Sequence, residues 1–155
     1  MPMNIESPAF RDGKAIPVKY TFDGENVSPP LVWDGAPPET KEFALICDDP
    51  DAPRGTWTHW VIYGISAGIT GLPEGVPKED TVKGDINQGL NSGNRVGYDG
   101  PSPPAGRPHR YFFMVFALDI ELNLHPRATK EDLTEAMKGH ILAEARTHGT
   151  YQRRY

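Results

Sequence analysis

The sequence has 155 residues, 16 of them Gly and 16 Pro. That density excludes a bundle of long helices, because in a helix interior Gly costs about 1 and Pro about 3 kcal/mol relative to Ala. Hydrophobic residues make up 37% of the chain in discrete blocks, which excludes low-complexity disorder, and the formal net charge of -5 excludes the general positive field of a nucleic-acid binder.

In chain order, strands are expected at residues 15–21, 31–33, 41–48, 59–65 and 109–120, the last containing the apolar run from Tyr111 to Leu118. Between them lie residues suited to tight turns: Asp23-Gly24, Asp34-Gly35 with Pro37-Pro38, Gly71-Leu72-Pro73, and the stretches 91–94 and 97–108. Blocks that are apolar throughout imply strands buried on both faces. One helix is expected near the C-terminus, with Thr129 as N-cap and Asp132 three residues on. Leu133, Met137, Ile141 and Ala145, with Ala136 alongside, then recur at helical spacing until Gly149. That stripe is expected to dock on the sheets. Residues 150–155 follow as a closing strand or loop, with Arg153 and Arg154 in solvent. No repeat or linker divides the chain, so the expectation is one domain over residues 1–155, an antiparallel β-sandwich with long proline-rich loops and a late helix.

Cys47 is the only cysteine, which excludes an internal disulfide or a multi-cysteine metal site, and its apolar surroundings mark it as a small buried hydrophobe. Residues 1–17 contain no apolar core of signal-peptide length and no segment approaches the roughly 18 apolar residues of a membrane span. A soluble, cytoplasmic protein is therefore expected. The glycosylation pattern Asn26-Val27-Ser28 is read as chance in that setting.

Two clusters carry chemistry. The first is Asp48-Asp49-Pro50-Asp51-Ala52-Pro53 with Trp57-Thr58-His59-Trp60 following; the second runs from Gly97-Tyr98-Asp99-Gly100 through Pro101-Ser102-Pro103-Pro104 to His109-Arg110-Tyr111. Pro50 biases Asp49 toward an extended backbone, so Asp49 and Asp51, two residues apart, project to one side of a strand end. A returning strand brings His59 to the same end, within reach of either carboxylate. His109 and Tyr111 are likewise two apart and share a face, with Arg110 turned the other way. The expectation is a single pocket combining Asp49, Asp51, His59, His109 and Tyr111.

Both clusters, in this order and at this separation, resemble the phosphatidylethanolamine-binding protein family, also called the Raf kinase inhibitor-like family. Ser7-Pro8-Ala9-Phe10, Val27-Ser28-Pro29-Pro30-Leu31 with Trp33, and the ending Gly149-Thr150-Tyr151 resemble its bacterial and archaeal branch. The resemblance implies a Greek-key sandwich of two antiparallel sheets with a surface pocket for anions such as phosphate, acetate or a phosphoethanolamine head group. By motif, Asp49 and Asp51 match the family's paired aspartates, His59 its first histidine, and His109 and Tyr111 its second histidine and tyrosine, while Ser102 and Pro103 fall on the rim. One or both aspartates are expected to act from behind, holding His59 or His109 protonated. The reading is a regulator and not an enzyme, without a cofactor, with a kinase or serine protease as protein partner and with homodimers as in the prokaryotic branch. No basic amphipathic helix points to a membrane, so a free head group or soluble phosphorylated ligand is expected in preference to bilayer lipid.

Three rivals are weighed. Asp49, Asp51, His59 and His109 are metal-ligand types, but no motif fixes a metal geometry, and no metal is expected. Gly64-Ile65-Ser66-Ala67-Gly68 formally matches a hydrolase nucleophile elbow, but residues 69–77 are too rich in Gly and Pro for the helix that motif requires. A serine protease inhibitor needs a rigid exposed loop, for which residues 97–108 or 72–80 are the candidates.

Overall fold

The computed structural model describes residues 2–154. Strands form where apolar blocks lie between turns: β1 Asn4–Glu6, β2 Leu31–Asp34, β3 Glu42–Asp49, β4 Trp57–Ser66, β5 Gly71–Leu72, β6 Thr81–Val82, β7 Ile86–Gln88, β8 His109–Leu118 and β9 Ile141–Tyr151, with one helix, α1, at Lys130–Met137. A three-stranded sheet runs β1-β2-β5 and a six-stranded sheet runs β6-β7-β4-β3-β8-β9, and neighbouring strands pair antiparallel. Within the larger sheet β3 and β4 form a hairpin, β7 joins β4 after the chain has passed through β5 of the small sheet and through β6, and β8 returns beside β3, a long return connection of the Greek-key kind. The expected fold class, including the antiparallel sandwich and the late helix, is observed.

The central strands are buried on both faces, for two different reasons. One face of β3 and β8, with Phe43, Leu45, Cys47, Phe113 and Val115, packs with Leu31 and Trp33 of the small sheet in the inter-sheet core. The opposite face, with Ala44, Ile46, Phe116 and Leu118, packs under Leu133 and Met137 of α1. Full burial of each such side chain is worth about 1.5–3 kcal/mol, so continuous apolar sequence is what a strand covered on both sides requires.

Two expected elements differ. Only Ala15 of 15–21 joins a strand, as a bridge to Thr150, and Val18–Tyr20 forms a 3-10 turn that starts at Pro17, whose carbonyl accepts from Tyr20 N at 3.0 Å. The helix ends at Met137, not Gly149: Gly139 takes φ +79° and the chain reverses into β9, which pairs with β8 from His109↔Tyr151 to Leu118↔Ile141. Ile141 and Ala145 therefore belong to a strand. Arg153 is also not free in solvent; its guanidinium holds Asp23 at 2.6 Å and Ser102 Oγ at 3.2 Å. Tyr155, the end of the expected closing segment, lies outside the described residues, as does Met1. Among the described residues no helix is long and apolar enough to cross a membrane.

Candidate functional site

The ends of β3, β4 and β8 meet at one edge of the inter-sheet core. On β8 the alternation that sends Phe113 and Val115 into the core sends Tyr111 and His109 to the same side, and on β3 the alternation through Leu45 and Cys47 continues to Asp49. His59 arrives differently. Plain alternation along β4 would put it on the face of Val61, beneath the helix. The register steps from Cys47↔Trp60 to Asp48↔Thr58, leaving His59 as the extra residue of a β-bulge, and such bulges re-aim side chains. Its ring meets Tyr111 edge to face, with centroids 5.2 Å apart, and Tyr111 stacks on His109 at 6.4 Å.

The carboxylates divide the work. Asp49, nearly fully buried, accepts from His109 Nδ1 at 2.7 Å with one oxygen and from the Asp51 backbone N–H at 2.7 Å with the other. Asp51 turns away and is clamped by Arg110, accepting from its backbone N–H and its guanidinium, each at 2.9 Å. The guanidinium bond draws the Asp51 carboxyl down to about 2. Asp48 faces the helix side, where Thr58 Oγ1 and Lys130 Nζ of α1 donate to it at 2.8 and 2.6 Å. Thr58 is the residue before the bulge, so this buried knot also fixes the strand at His59.

A cavity of about 350 Å³ opens here, lined by Asp49, His59, His109, Tyr111, Ser102 and Pro103 among others. Six of the seven expected site residues thus line one space. Asp51 does not line it. Nor does an aspartate carboxylate stand behind His59: its Nδ1 bonds the backbone carbonyl of Asp99 at 2.6 Å, and since a carbonyl only accepts, this nitrogen is the donor. Burial pushes His59 below its ordinary value, the Asp99 carbonyl acting against that shift. Burial likewise raises the Tyr111 phenol, so its hydroxyl stays a donor at neutral pH. Ser102 is exposed and sits on the rim.

Several residues of the wall carry no role in the sequence reading. Asp99 accepts from Asn26 and Asn91 side chains at 3.1 and 2.9 Å and from Arg95 at 2.9 Å. Burial works to raise its carboxyl, but those amide bonds, with the charges of Lys78 and Arg95, bring it below the ordinary value. Asn26, at φ +57°, also receives the Gly100 N–H at 2.6 Å, so the second cluster is held by a residue more than 70 positions away in sequence. No local signal marks that contact. The exposed aromatics Phe22 and Trp57 complete the mouth. Ser66, the formal elbow serine, ends β4 and leads into a turn toward β5 with no helix after it. Among the described residues no three of His, Cys, Asp and Glu converge as metal ligands.

The family model for phosphatidylethanolamine-binding proteins matches residues 6–152. The chain belongs to the phosphatidylethanolamine-binding protein family. It is 54% identical over 151 residues to a UPF0098 protein of Methanothermobacter thermautotrophicus, covering 97% of this chain and 99% of that one. A phosphatidylethanolamine-binding protein homolog from Chlamydia trachomatis superposes with TM-score 0.89 at 41% identity, covering 98% of each chain. Escherichia coli YbcL, described as a new member of the mammalian phosphatidylethanolamine-binding protein family, superposes with TM-score 0.92 at 30% identity, covering 99% of this chain and 100% of its own. The phosphatidylethanolamine-binding resemblance of the two sequence clusters is thereby established over nearly the whole chain.

Proposed function

We propose that this protein is a non-catalytic binder of small anionic, phosphorylated ligands and serves a regulatory role of the Raf kinase inhibitor-like type. One observation carries the ligand reading: the Tyr111 hydroxyl, in a side chain 1% exposed, lines the cavity and has no hydrogen-bond partner. Buried polar atoms are nearly always bonded, and a donor left open toward a cavity calls for an acceptor from outside. The two imidazoles narrow the choice. Nδ1 of each is spent on a protein acceptor, Asp99 C=O or the Asp49 carboxylate, leaving Nε2 to the ligand.

Asp49 gives His109 a counter-charge whenever that ring is protonated, whereas His59, backed only by a carbonyl and shifted down by burial, stays neutral with Nε2 as an acceptor. A ligand matching this set offers oxygens to Tyr111 and His109 and one hydroxyl to His59. A phosphate or phosphomonoester carrying one proton does so. The Cys47 thiol is buried and pushed up by that burial, and Ser102 Oγ on the rim accepts from Arg153. The inhibitory-loop alternative has less support, because residues 97–101 are tied inward through Asp99, Gly100 and the Tyr98 hydroxyl, and Pro77 and Glu79 carbonyls are taken by Gln88.

Calorimetric titration with inorganic phosphate from pH 5.5 to 8.5 tests the proposal. Affinity is expected to fall about tenfold or more across that range as the phosphate loses the proton it offers to His59, and His109→Ala is expected to cost about tenfold at pH 6. A flat pH profile in the intact protein, or full affinity in the variant, overturns it.

A further inference from the structure

The opposite end of β3 holds a second cavity, of about 330 Å³, lined by Glu42, Tyr63, Asp85, Asn87, Glu121 and Lys41 among others. Glu42 is 7% exposed, and its Oε2 has no hydrogen-bond partner. The wall's other polar groups do not supply one. Tyr63 Oη donates to His125 C=O and accepts from Ala128 N–H, and the Asn87 amide is spent on Thr81 and Leu124. Asp85, Glu121 and Lys41 enter no ion pair among the described residues. Three carboxylates and one ammonium thus line the cavity with no ion pair among the described residues, and Glu42, the most buried of the three, has an oxygen without a hydrogen-bond partner.

We propose that this cavity binds a small organic cation carrying an ammonium group, with Glu42 as its anchoring carboxylate and Asp85 and Glu121 at its mouth. An ammonium brings three donors and a positive charge, which would give Oε2 a donor and the carboxylate a counter-charge. A divalent metal fits less well, because the acidic groups are spread around the wall and do not converge as metal ligands. At about 30 Å³ per water in the liquid, the space holds a molecule of a few carbon atoms.

The site carries its own signature. Burial raises the Glu42 carboxyl to about 7, with Glu121 adding to that shift and the backbone N–H groups of Leu122 and Gly64 opposing it. A proton then fills the role of the cation in acid. Asp85, Glu121, Lys41 and Tyr63 are the titratable groups that face it.

The test is calorimetric titration of the full chain with 1,4-diaminobutane at pH 6 and pH 8, with calcium chloride as a second probe and inorganic phosphate as a check that the fold is intact. Saturable diamine binding about tenfold tighter at pH 8 than at pH 6 is expected, and Glu42→Gln should lower it at least about tenfold at pH 8. Glu121→Gln, at an exposed position, should lower it by a smaller factor without touching the fold. Absence of saturable diamine binding at pH 8 overturns the proposal, as does equal binding by Glu42→Gln or saturation by calcium in place of the diamine. Phosphate binding belongs to the other end of β3, so these outcomes stand apart from those of the anion titration.

Discussion

The two ends of strand β3 bury carboxylates to opposite effect. At its C-terminal end Asp48 and Asp49 are 6% and 3% exposed and both are answered, by Lys130 with Thr58 and by His109. At its N-terminal end Glu42 is 7% exposed and one oxygen is unanswered. Depth of burial is the same; the partner supplied by the fold is what differs. A buried charge with a partner acts as a peg that fixes neighbouring strands, while a buried charge without one is a standing cost.

The largest effect is expected at the paired end. Asp49→Ala leaves His109 buried without its counter-group and frees the Asp51 N–H, and urea unfolding should show a loss of about 3 kcal/mol at pH 7; a loss below about 1 kcal/mol would erase the contrast between the ends. Glu42→Gln should move the other way. The folded carboxyl titrates near 7 against 4.5 for the ordinary group, so its contribution is intact below pH 4.5 and is lost as the pH rises through 7. The variant should therefore be more stable than the parent at pH 8, by at most about 3 kcal/mol, and equal to it near pH 4. Thermal unfolding at the two pH values decides it.

Tyr111→Phe sharpens the comparison within the proposed anion pocket. Because its hydroxyl bonds nothing in the protein, stability should stay within about 1 kcal/mol while phosphate affinity falls about fivefold. Asp51→Asn should have the smallest effect. Its carboxyl is drawn down to about 2 by Arg110, so the clamp holds above pH 3.8, the ordinary carboxyl value, and is lost as the pH falls through about 2. The guanidinium is half exposed, which limits the cost at pH 7 to about 1 kcal/mol. Phosphate affinity should change by less than about twofold, and a larger change would return Asp51 to the pocket.

The strands were legible where one face or both had to be apolar, as in the runs through Phe43–Cys47 and Tyr111–Leu118. The expected helix runs on too far because a spacing of four residues fits a helical turn and also occurs within a strand: Leu133 and Met137 lie on one face of α1, whereas Ile141 and Ala145 both lie in β9, on either side of the register step opposite Ala117 and Leu118. The sign that separates them is Gly139, a helix terminator placed between the pairs. In the pocket, Asp49, His109 and Tyr111 follow from alternation alone. His59 reaches it only through a bulge, which depends on how two strands register and not on either one, and Asn26 and the Asp99 carbonyl belong to contacts that sequence distance conceals.

The central place of β3 bears on how the chain is made. Leu45 pairs with Val115, 70 residues later, and ribosomal synthesis proceeds at about 5–20 residues per second. Strand β3 must therefore wait about 4–14 s for the strand that covers its other edge. During that interval the nascent chain offers a sticky, unpaired margin, and slowing translation between residues 66 and 109 should raise the fraction that aggregates during synthesis.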